Sequence, residues 1–83
     1  MTEPIYDEIY DFLVSQPTLQ EMADFRPSEE ARKRLMSLRL ARSNGNLTDK
    51  DRYELDQFAF LNHHMRKLKA KAKHKIANQA KSD

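Results

Sequence analysis

The sequence predicts an all-α fold of about four helices, with short N-terminal helices packed on an αα-hairpin whose second helix is long and basic. Three observations predict it. The chain of 83 residues has one glycine and three prolines, and each falls at a break between apolar stretches. Within those stretches the apolar residues recur every three or four positions, the spacing of one helical face. Helix-capping residues stand just before three of the stretches: Thr18, Ser28 and Thr48.

The first helix is expected to open at Pro4, whose missing N–H costs nothing in a first turn. Ile5, Ile9, Phe12 and Leu13 form its apolar face. Pro17 ends it, because the residue before proline avoids the α region. Thr18-Leu19-Gln20-Glu21 reads as a capping box that opens a short helix over 19–25. Ser28 caps a third helix from about 29 to 43, where Glu29 and Glu30 suit the positive end of the helix dipole. Gly45 closes it as a left-handed residue, and Leu47 follows as an apolar plug. Thr48-Asp49-Lys50-Asp51 opens the fourth helix with an aspartate variant of the box. No proline or glycine interrupts this helix, which is expected to run to about residue 79 and to form an antiparallel hairpin with the third. Phe58, Leu61, Met65, Leu68 and Ala72 give it a heptad seam.

Length and composition narrow the function. A chain this short buries only about 60% of its unfolded surface, so a partner or a second copy is expected to add support. Cysteine is absent, which excludes disulfides and thiolate metal sites and fits a reducing cytoplasm. No apolar run reaches the roughly 18 residues of a membrane span, and the start at Met1-Thr2-Glu3-Pro4 lacks the features of a signal peptide. A cytoplasmic protein with no membrane contact is the expectation.

Charge is segregated along the chain. Residues 1–30 carry eight acids and one base, Arg26, whereas residues 57–83 carry seven bases and one acid, Asp83. Such asymmetry suggests a charged interaction arm. The expected division is a helical core over 1–66 and a basic helical extension over 67–83. Arg66, Lys67, Lys69, Lys71, Lys73 and Lys75 are the candidate nucleic-acid contacts, since closely spaced cations release counterions on meeting phosphates. The bland alternative is a solvated tail of good helix formers. No aromatic residue interrupts the run, which disfavours a single-strand stacking platform.

Other constellations carry little chemistry. His63 and His64 are adjacent, so on a helix they diverge and cannot share an ion, and no metal or cofactor is expected. There is no phosphate-binding glycine loop, no cysteine nucleophile and no HExxH helix, so the chain is not expected to be an enzyme. Tyr6 and Tyr10 stand four apart, either widening the buried face or forming an aromatic contact patch.

Four segments carry a resemblance: Phe25-Arg26-Pro27-Ser28-Glu29-Glu30-Ala31, Gly45-Asn46-Leu47-Thr48, Glu54-Leu55-Asp56-Gln57-Phe58, and His64-Met65-Arg66-Lys67-Leu68-Lys69-Ala70-Lys71-Ala72. Together they resemble a widespread family of short bacterial proteins encoded beside HNH-type endonucleases, in what looks like toxin–antitoxin pairing. The likeness spans essentially Ile5 to Ile76. It implies an antitoxin that neutralises a nuclease toxin by direct contact, with no catalytic residue of its own. The acidic first helix then becomes a mimic of the nuclease's polyanionic substrate. The candidate partner contacts are Asp7, Glu8, Tyr10 and Asp11 with Met65 and Leu68 of the heptad seam. The alternative function is a small regulator that binds DNA through the basic C-terminal helix. A homo-oligomer joined through that helix is expected in either case.

Overall fold

The computed structural model describes residues 3–81, the last two by backbone alone. Four helices make up the fold: α1 (Asp7–Val14), α2 (Leu19–Ala23), α3 (Glu29–Ser43) and α4 (Asp49–Lys81). No strand occurs among the described residues. Met1 and Thr2, and Ser82 and Asp83 of the expected extension, lie outside them.

Each boundary has a local cause. Helix α1 starts later than Pro4 suggests: Asp7 first closes a tighter turn by donating its N–H to Pro4 O, at 3.0 Å, and the free N–H of Ile5 donates to Glu54 Oε2, at 3.1 Å. It ends with Gln16 in the left-handed region at φ 57°, donating its N–H to Leu13 O. Pro17 has no N–H with which to complete the larger closing loop of a Schellman motif. The Thr18 box forms in both directions, Thr18 Oγ1 accepting from Glu21 N–H and Glu21 Oε1 accepting from Thr18 N–H. Ser28 Oγ accepts from Ala31 N–H and Thr48 Oγ1 from Asp51 N–H. Helix α3 closes with a full Schellman pair, Asn46 N–H to Ala41 O and Gly45 N–H to Arg42 O. Gly45 supplies the φ of 73° that this turn requires.

The core lies along one face of α4. Ile9, Leu38 and Met65 are its most completely buried large side chains, joined by Ile5, Leu55, Phe58 and Ala31. Leu61 and Phe12, expected on apolar faces, are half-buried against it, as is Leu35 of α3. At the N-terminal end of α4, Glu54 ties three segments together, since it also accepts from Arg34 Nη2 of α3 at 3.1 Å. Arg34 pairs with Asp51 as well, at 3.0 Å.

The far half of α4 corrects one expectation. Beyond the reach of α3, the seam was expected to overhang and present Met65, Leu68 and Ala72 to a second copy. Helix α2, only five residues long, packs there instead and makes closer contact with α4 than α1 or α3 does. Met65 is 1% exposed and Ala72 3% exposed within the single chain, and Ala23 of α2 is buried too. Lys69 Nζ donates to Phe25 O just past the end of α2, at 2.7 Å, where a cation meets the negative end of the helix. Ala72, beyond residue 66, is buried as well, and α4 runs unbroken from Asp49 to Lys81. The molecule is elongated, 56 × 24 × 18 Å.

Candidate binding surface

The acids proposed for partner contact prove unequal. Glu8 is engaged inside the chain: its carboxylate accepts from both the backbone N–H and the hydroxyl of Ser28, the cap of α3. It holds α1 to the start of α3, and its charge faces the positive end of that helix. Asp7, in the first turn of α1, is half-buried. Asp11 is exposed. Of the two seam residues, Leu68 is on the surface at 37% exposure, whereas Met65 is enclosed and cannot meet a partner in this conformation. The acidic helix thus presents Asp11 and part of Asp7, not a row of three carboxylates.

Aromatic residues supply the larger surface. Tyr6 sits at the centre of a trio, edge-on to Tyr10 and to Tyr53 of α4, with ring centroids 6.3 Å away in each case. Edge-to-face packing of this kind suits the ring quadrupoles. Partial burial pushes the Tyr6 phenol above the ordinary tyrosine range, and the neighbouring Tyr53 and Asp7 push the same way. Phe60 stands seven residues after Tyr53, two turns along the same face of α4, and packs edge-on against His64 at 4.7 Å. Tyr10, Tyr53 and Phe60 are 46%, 59% and 60% exposed, so rings that meet one another also face outward. Leu68 follows two turns beyond Phe60 on the flank of this face.

Tyr53 and Phe60 were not singled out from the sequence. Their i,i+7 spacing was the available signal, but the stronger seam of Phe58, Leu61 and Met65 on the opposite side of the same helix hid it. Of the two readings open for Tyr6 and Tyr10, each residue takes one: Tyr6 packs against the core and Tyr10 is exposed.

The basic residues also divide. Lys69 is held by Phe25 O, while Arg66, Lys67, Lys71, Lys73 and Lys75 are exposed. His63 and His64 are exposed with ring centroids 5.7 Å apart. Among the described residues, no group of three or more His, Cys, Asp or Glu side chains could hold a metal ion, and no helix is long and apolar enough to cross a membrane. Comparison with protein-family models, curated proteins and solved structures finds no match to this chain.

Proposed function

We propose that this chain is a non-catalytic binding protein that neutralises an HNH-type nuclease by direct protein–protein contact, using the aromatic face of α1 and α4. The observation that carries the reading is the outward exposure of Tyr10, Tyr53 and Phe60 on one helical surface. Tyrosine side chains offer large, stiff contact area and recur at the energetic centres of interfaces. Exposed apolar area of this kind, beside polar residues, marks a binding surface. Asp7 and Asp11 border the patch, and their charge suits a basic, substrate-binding cleft. The nuclease class comes from the sequence resemblance.

The test is co-expression with an HNH-type nuclease, the proposed partner, made inactive by mutation so that cells survive. A tag on the nuclease should retain this chain through purification. Tyr53→Ser together with Phe60→Ser should abolish retention while leaving the helical circular dichroism signal in place, because both side chains are more than half exposed. Each ring at an interface centre contributes roughly 2 kcal/mol or more, a loss of some thirtyfold in affinity per residue. Retention of the double variant at wild-type levels would refute the use of this face.

A further inference from the structure

Helices α3 and α4 enclose a groove of about 300 Å³ in which Arg39, Arg42 and Arg66 converge with Asn62, His63 and one acid, Asp56. Sequence reading singled out Arg66 alone, because Arg39 and Arg42 come from the other helix. All three guanidinium groups are exposed, and none has an ion-pair partner among the described residues. Arg34, one turn earlier on α3, is by contrast neutralised by Asp51 and Glu54, and the Glu54 hydrogen bond raises its pKa further. Three uncompensated cations around one concavity focus a positive potential there. The guanidinium fork matches phosphate oxygens in a way a lysine ammonium does not.

The row of cations extends beyond the groove and beyond the reach of a single anion. Lys73 is exposed and stands seven residues after Arg66, so it continues the row about 10 Å along the same face of α4. A chain of phosphates fits that row better than an isolated one. Phe58 lines the groove but is 3% exposed, so no free ring is offered there for base stacking. Guanidinium groups spread along a row suit successive phosphates, contacts that position a duplex without specifying its sequence.

We propose that the α3–α4 groove binds the phosphate backbone of duplex nucleic acid, through Arg39, Arg42, Arg66 and Lys73, without reading its sequence. This goes beyond the protein-binding reading and shares no residue with the aromatic face, so each can fail without the other.

The test is fluorescence anisotropy of a labelled random-sequence DNA duplex with the full chain, over a series of salt concentrations. The triple variant Arg39→Gln/Arg42→Gln/Arg66→Gln should bind more than about tenfold more weakly and reduce the salt slope by about 2 to 3, the value for three lost phosphate contacts. Lys71→Gln/Lys75→Gln, which removes two exposed cations outside the groove, should reduce affinity less. Asp56→Asn, which removes the one acid lining the groove, should tighten binding, and it remains informative if the triple variant melts early. The proposal is overturned if the Lys71/Lys75 variant loses as much as the triple arginine variant, or if Asp56→Asn leaves affinity unchanged. No duplex binding, with inorganic phosphate alone binding at millimolar concentration, would likewise reduce the groove to a simple anion site and overturn it.

Discussion

Glu8 and Ser28 lock α1 to α3: the Glu8 carboxylate accepts from the Ser28 N–H and hydroxyl, while the same hydroxyl accepts from Ala31 N–H. A residue twenty positions upstream thereby completes the cap of a helix. Glu8→Ala should cost about 1–2 kcal/mol, the range for a charge-assisted, partly exposed hydrogen bond at a helix N-terminus. Ser28→Ala should cost about 1 kcal/mol. Because the two share one network, the double variant should lose less than the two single losses combined. Thermal melts of the four proteins measure this, and strict additivity would show that the pair is not coupled.

Gln16 occupies a conformation that favours glycine, with φ at 57°. A side chain there costs roughly 1–2 kcal/mol, partly offset in a glycine variant by the greater freedom of its unfolded chain. Gln16→Gly should therefore raise stability by about 0.5–1 kcal/mol, a gain of several degrees in Tm for a domain of this size. Gln16→Val should lower it. A lower Tm for the glycine variant would contradict the geometry of this turn.

Met65 tests the correction to the heptad seam. Its burial beneath neighbouring segments of its own chain means that Met65→Ala should cost about 2–5 kcal/mol. That loss should be the same at low and high protein concentration. If Met65 were instead covered by a second copy, melting temperatures would rise with concentration.

Tyr6 gives the aromatic trio a pH signature. Its phenol is raised above the ordinary value, chiefly by partial burial, so the folded state favours the neutral ring. The stability this lends is complete below about pH 10, the unfolded tyrosine value, and is lost as pH rises through the folded-state value. Ultraviolet difference titration should show the Tyr6 phenol ionising above the ordinary tyrosine range. Tyr53→Phe, which removes the neighbouring phenol, should bring that value down.

The helices themselves were legible because every break is written locally. Pro17, the Thr18 box, the Ser28 cap and Gly45 each act within a few residues, and α3 and α4 begin where their caps stand. Which helix covers which was harder. Five residues of α2 are too few to display a period, so nothing in Leu19–Ala23 announced that it would cover Met65 and Ala72. Glu8 misled for another reason, since a carboxylate on a helix looks the same whether it faces water or caps a distant N-terminus. The arginine groove was hidden because its members lie on two helices and meet only when α3 and α4 pack.

The measurement that bears most directly on the central claim is titration of an active HNH-type nuclease, the proposed partner, with this chain, followed by cleavage of a DNA substrate. Wild-type chain and the Arg39→Gln/Arg42→Gln/Arg66→Gln variant should both inhibit at near-stoichiometric amounts. Tyr53→Ser/Phe60→Ser, folded as judged by its melt, should fail to inhibit. Full inhibition by the aromatic double variant, or cleavage unaffected by the wild-type chain at any ratio, would contradict neutralisation through this face.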